Sequence, residues 1–162
     1  MTIRKTTKAD LPTVLNIYAG ARTFMKEAGN PNQWKNMHPP KEQIEEDINT
    51  GESYVCIIGD EILAVFFFSI KPDPTYGYIE GEWLSNAPCG VVHRIARNQS
   101  TEKAKGAGAF CLNWCFEQIS NIRIDTHKDN APMINLLKSL GFKHCGTIWL
   151  ENGEERMAFQ KI

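Results

Sequence analysis

From Val91 to Phe110 the chain reads VVHRIARNQSTEKAKGAGAF, and this stretch limits what the remainder can fold into. Val91, Val92, Ile95 and Ala96 make a strand-like apolar run that ends in a polar turn at Asn98, Gln99, Ser100 and Thr101. Lys103, Lys105, Gly106 and Gly108 follow and open a segment with helical spacing. A strand that feeds a glycine-rich helix start is a candidate anion site. Unpaired backbone N–H groups converge there, and the positive end of the helix dipole favours negative charge. The absent Cβ atoms of Gly106 and Gly108 leave room for a phosphate. The alternative is a loop with two convenient glycines.

Such a site belongs to a chain of 162 residues, 42% of them hydrophobic, which is enough for one domain, residues 1–162, around a sizeable core. A net charge of −1 and a pI near 6.4 give no general attraction to nucleic acid or to an anionic membrane. The longest apolar run, Ile62 to Ile70, falls far short of the about 18 residues a membrane helix needs. The N-terminal MTIRKTTKAD has no signal-peptide core. Five cysteines, an odd number without a CxxC pair, favour a reduced cytoplasmic setting over a disulfide framework. Cys111 and Cys115 share a helix face, where small buried hydrophobes are expected rather than metal ligands, and no metal site is expected elsewhere.

In chain order, strands and helices alternate with no internal repeat. Thr2 to Thr6 reads as a short edge strand. Asp10 can cap a helix to about Ala21 whose apolar face is Leu11, Val14, Leu15 and Tyr18. Gly29 to Pro40 is a loop carrying Trp34, Met37 and His38; Trp34 either covers a ligand or plugs the edge of the core. Lys41 to Asn49 is a short helix closed by Gly51. Tyr54 to Ile58 and Glu61 to Ile70 form a hairpin about Gly59 and Asp60, the second run apolar enough to be a central strand buried on both faces.

A long connection then holds Glu80, Glu82 and Trp83. Beyond the glycine turn come a helix from Gly106 to about Ser120, a strand from Asn121 to Thr126, and a helix that starts at Asn130 and stops at Gly141. Phe142 to Leu150 and Arg156 to Ile162 flank Asn152 and Gly153, a strong hairpin signal.

The turn KAKGAG and the segment DNAPMINLLKSLGF together resemble the GCN5-related N-acetyltransferase (GNAT) superfamily. Lys103 stands at the Arg or Gln position of the family's turn motif, and Gly106 and Gly108 at its glycine positions. Asn130, Leu136, Gly141 and Phe142 match a second motif, and the element order agrees over nearly the whole chain. Other glycine motifs fail on spacing: a dinucleotide-binding G-x-G-x-x-G would need glycine where Cys111 stands, and no P-loop run exists.

The resemblance implies a mixed α/β fold, a mostly antiparallel central sheet flanked by helices in a single domain, and acetyl-CoA as co-substrate. Its pyrophosphate would lie on the turn formed by Lys103, Ala104, Lys105, Gly106, Ala107 and Gly108. Its pantetheine arm would pair with the backbone of Ile95, Ala96 and Arg97, with the Ile95 N–H polarising the thioester carbonyl. Asn130, Met133 and Leu137 would line the other side.

The implied reaction is direct attack of a primary amine of a small molecule or peptide on the thioester. His93, two residues before Ile95, is the candidate catalytic base, since imidazole titrates near neutral pH and some family members carry a histidine there. The competing reading is a satisfied core histidine or a group that packs on the cofactor. Glu80 and Glu82 are the next candidates, acting through a water. The family often has a Tyr acid where this chain has Leu137, so Tyr76, Tyr78, a water or an unassisted thiolate takes that part. His127 and His144 read as structural. Trp34, His38, Glu80, Glu82 and Trp83 are the candidate acceptor pocket, suited to a cationic amine or a peptide N-terminus. The last hairpin offers an edge for a homodimer. The alternative function is a non-catalytic acyl-CoA-binding regulatory module.

Overall fold

The computed structural model describes Met1–Ile162. In chain order it contains β1 (Thr2–Lys5), α1 (Leu11–Glu27), α2 (Lys41–Asn49), β2 (Ser53–Ile58), β3 (Glu61–Ser69), β4 (Glu80–Gly81), β5 (Gly90–Arg97), α3 (Ala107–Gln118), β6 (Ile122–Thr126), α4 (Ala131–Ser139), β7 (Lys143–Trp149) and β8 (Glu155–Lys161). The strands make one eight-stranded sheet in the order β1-β2-β3-β5-β6-β8-β7-β4. Every neighbouring pair is antiparallel except β5 with β6. The expected mixed, mostly antiparallel sheet flanked by helices is the observed one.

β3 is apolar along its length because both of its faces are covered. Val65 packs toward α1 and α2, in a cluster with Val14, Ile17, Tyr18, Ala21 and Ile44. Phe66 and Phe68 join Cys111, Leu112, Cys115, Leu137 and Phe159 in the larger cluster under α3 and α4. Trp114 of α3 sets its ring 5.1 Å from Tyr54 and 6.0 Å from Phe66, so it packs on the core as helical spacing suggested. Truncating a fully buried side chain such as Phe66 or Phe159 to alanine costs about 3–5 kcal/mol in a core of this density.

Helix boundaries follow the local chemistry with two departures. α1 runs on to Glu27, beyond Ala21, because no breaker intervenes before Gly29, whose φ is 85°. Asp10 does not cap α1: its carboxylate accepts the Thr7 N–H at 2.7 Å and both Arg4 Nη donors at 2.7 and 2.9 Å. Asn130 does cap α4, its Oδ1 accepting the Met133 N–H at 3.2 Å.

The connection between β3 and β5 is ordered. β4 pairs with β7 at Glu80–Thr147 and Gly81–Gly146, and the two backbones lie so close that a Cβ on Gly146 would stand 2.1 Å from the Glu80 carbonyl oxygen. β8 lies between β6 and β7, and β4 occupies part of β7's outer edge. Of the outer edge that the final hairpin offers, β4 covers only Gly146 and Thr147.

Two features of β5 position everything that follows. Its pairing with β6 covers only Gly90, Val91 and Val92; past that point β5 keeps β3 as its neighbour, β6 keeps β8, and the two strands part. Its pairing with β3 slips between Val65–Ala96 and Phe67–His93, so three steps along β5 oppose two along β3. Arg94 sits in this bulge with φ of 51°.

Candidate active site

The parted strands open into a cleft of about 820 Å³. His93, Arg94 and Ile95 of β5, Asp125 and Thr126 of β6, Asp47 of α2, Trp34 and His38 of the 29–40 loop, and Asn130 and Met133 of α4 all border it. Six carboxylates (Glu46, Asp47, Glu52, Asp73, Asp125, Glu154) against three cations (Lys35, Arg94, Arg156) make the lining acidic.

His93 is held between two aspartates. Its Nε2 lies 2.6 Å from Asp73 Oδ2, and its Nδ1 lies 3.7 Å from Asp125 Oδ1. Phe67 and Tyr76 flank the ring, with centroids at 5.8 and 5.7 Å. Burial pushes the Asp73 carboxyl up, but the hydrogen bond and charge of His93, with the Thr75 N–H at 2.8 Å, outweigh it and hold the group down at about 2. Tyr76 donates to Asp125 at 2.6 Å, and burial followed by the Asp125 charge pushes its hydroxyl well above the usual phenol range.

Asp10 is likewise lowered to about 2, chiefly by its hydrogen bonds from Arg4. A carboxyl with a folded-state value below its unfolded one stabilises the fold above the unfolded value, about 3.9, and loses that contribution as pH falls toward the folded one. Stability measured by denaturant titration is therefore expected to drop between about pH 4 and 2. Asp73→Asn should fall less steeply across that window, and an equal slope would show that the Asp73 pair carries none of it.

The 29–40 loop is pinned over the cleft from three sides. Gln33 Oε1 accepts from Asn130 Nδ2 at 2.8 Å, Lys35 pairs with Glu154 at 2.6 Å, and the Trp34 ring stands edge-on to Tyr18 at 5.6 Å. Trp34 thus plugs the core edge and also borders the cleft.

The helix start is an open donor site. Gly106 has φ of 82°, and the N–H groups of Gly106, Ala107, Gly108 and Ala109 find no acceptor within the chain. The two glycines differ in purpose. A Cβ on Gly106 would meet nothing within 4 Å, so the residue is there for its backbone, whereas a Cβ on Gly108 would press on Leu136 Cδ2 of α4 at 3.2 Å. Lys103 is exposed and pairs with Glu61 at 2.8 Å. Arg97 donates to Gln99 at 2.9 Å.

Other candidates lie elsewhere. Glu80 and Glu82 are exposed beside β7, because β4 carries that segment away from the cleft. Trp83 is buried with Tyr76, Val91, Ile148 and Ala158, its Nε1 donating to the Tyr76 carbonyl at 3.2 Å and Arg123 lying 4.1 Å over its ring. Leu137 is fully buried in the main core and not at the cleft, so the position of the family's Tyr offers neither a donor nor a lining group. Tyr78 is exposed and stacks near Trp149, and Tyr76 is committed to Asp125. His127 Nδ1 accepts the Asp129 N–H, and His144 faces the Gly146 carbonyl.

Sequence reasoning passed over Asp73, Asp125, Asp47 and Gln33. Asp73 alone had a signal, lying between two prolines in PDPT within a connection too long to be idle.

No protein-family model matches the chain, and no curated protein matches it. Solved structures do. A GNAT-family acetyltransferase from Streptococcus agalactiae is 27% identical, with a TM-score of 0.86 over 99% of this chain and 94% of that one. A GNAT-family acetyltransferase from Listeria monocytogenes (18% identical, TM-score 0.70, 99% and 93% covered) and a ribosomal-protein-alanine N-acetyltransferase from Brucella melitensis (19%, 0.68, 100% and 99%) share the fold. The likeness covers nearly the whole of each chain, and it supports the GCN5-related N-acetyltransferase superfamily that the sequence resembles.

Proposed function

We propose that the protein is an acetyl-CoA-dependent N-acetyltransferase that acetylates a primary amine of a small cationic molecule or of a peptide. The observation that carries this reading is the parting of β5 from β6 beyond Val92, beside a helix start with four N–H groups that have no acceptor. The β5 backbone from Ile95 to Arg97 has no strand on its β6 side, which suits an extended amide-bearing arm. The donors at Gly106 to Ala109, with Lys103 and Lys105 near them, suit a diphosphate. Asn130 and Met133 border the cleft, where the acyl end would lie. Leu137 supports them from within the core.

Acetyl-CoA supplies an activated acyl group; the chain supplies orientation and proton handling. Asp73 favours the tautomer with the proton on His93 Nε2, leaving the Nδ1 lone pair to take the proton that the attacking amine must shed. Two carboxylates then stabilise the imidazolium. The excess of carboxylates over cations around the cleft favours a cationic acceptor. The Brucella enzyme is named for a protein amine, and an acidic cleft serves a peptide α-amine equally. The free thiols of all five cysteines fit a cytoplasmic setting.

The test is thiol release from acetyl-CoA across peptides, polyamines, arylalkylamines and amino acids. Release with at least one amine class is the expected result. A melting rise with acetyl-CoA and CoA but no release with any amine would replace this reading with the regulatory acyl-CoA-binding module, which the lack of a hydroxyl at Leu137 favours.

A further inference from the structure

Arg94 is the one non-glycine residue of a strand with positive φ. A left-handed arginine is strained, and its surroundings must hold it there. Tyr18 Oη of α1 donates to the Arg94 carbonyl at 2.8 Å. The guanidinium donates through Nε and Nη2 to both carboxylate oxygens of Asp47 in α2, at 2.8 and 2.9 Å, and lies 4.7 Å over the Phe67 ring. Asp47 is 4% exposed and takes a further hydrogen bond from Gln43 at 3.0 Å. Burial raises the Tyr18 hydroxyl above the usual phenol range and keeps it a donor.

We infer that Tyr18 and Asp47 are positioning residues for acyl transfer: they hold Arg94 in its left-handed conformation and so aim the next backbone N–H, that of Ile95, at the acyl carbonyl. This rests on the acetyltransferase reading and goes beyond it. Asp47, Arg94 and Ile95 border the same cleft, so the floor of the amine pocket and the backbone that polarises the thioester form one mechanical unit. A donor held in place before reaction acts on the transition state, so loosening the unit lowers kcat more than it raises the KM for acetyl-CoA.

The experiment compares kcat and the acetyl-CoA KM for wild type, Arg94→Ala, Arg94→Gly and Tyr18→Phe. Glycine adopts a positive φ without strain; alanine keeps the strain and loses the clamp. Arg94→Ala is expected to lose about 30-fold in kcat, with KM changed by less than about 3-fold, and Tyr18→Phe to lose about 10-fold. Arg94→Gly should recover at least about 5-fold over the alanine variant. Equal kcat for glycine and alanine would overturn the inference, as would a wild-type kcat in Tyr18→Phe. Should the Arg94 variants not fold, Tyr18→Phe decides, with amide exchange around Ile95 expected to quicken and an unchanged rate counting against. A wild type without turnover defeats the acetyltransferase reading separately, and the exchange measurement still judges the clamp.

Discussion

His93→Gln lowers kcat by about 10²–10⁴-fold, the usual worth of a positioned general base, while the melting rise with acetyl-CoA persists. Glutamine approximates the ring's reach and can still hydrogen-bond Asp73, so the packing between Phe67 and Tyr76 is largely kept while the titrating nitrogen is lost. Asp73→Asn is the sharper companion. An amide can donate to Nε2, which moves the imidazole proton to Nδ1 and blocks the atom that faces Asp125. Its kcat should fall by about 10²-fold or more, with little change in acetyl-CoA KM. A His93→Gln variant with wild-type turnover would remove this side chain from the chemistry and leave it a packed histidine.

Gly106→Val abolishes the melting rise with CoA and acetyl-CoA. No neighbour stands within 4 Å of the new Cβ; the obstacle is the φ of 82°, a conformation that costs a β-branched residue about 1–2 kcal/mol. The turn relaxes to negative φ, and the N–H groups that now converge from Gly106 to Ala109 swing apart. Lys103→Ala should do far less, because that ammonium is exposed and shared with Glu61. Gly108→Ala should also be mild, since Leu136 Cδ2 is the end of a flexible side chain and can yield a few tenths of an ångström. Retention of the full rise in Gly106→Val would move the diphosphate off this helix start.

What was legible in the sequence was whatever depends on neighbours along the chain. The hairpins at Gly59 and Gly153, the apolar run of β3, the cap at Asn130 and the glycine-opened α3 are local signals, and each folds as read. The candidate site was legible where β5 passes through it and at Trp34, His38, Asn130 and Met133, which also border the cleft. Asp73 reaches His93 across 20 positions and Asp47 reaches Arg94 across 47, and no spacing rule announces either meeting. Arg94 itself looks like any polar residue alternating in a strand; the bulge arises from a register slip against β3. Glu80, Glu82 and Trp83 were drawn to the pocket by residue type. The return of β4 to β7, made possible by two facing glycines, carries the glutamates to the outer surface and folds the indole inward.

That close approach of Gly81 and Gly146 also bears on how the molecule behaves in a crowd. A sheet ends safely only where its last strand cannot recruit another chain. On one side Arg4 and Lys5 put charge on β1, a common guard. On the other, a two-residue segment of the protein's own connection occupies the rim of β7, as a selvedge keeps cloth from fraying. Its close seating depends on two positions having no side chain at all, so a side chain at either would lift this guard from Gly146 and Thr147.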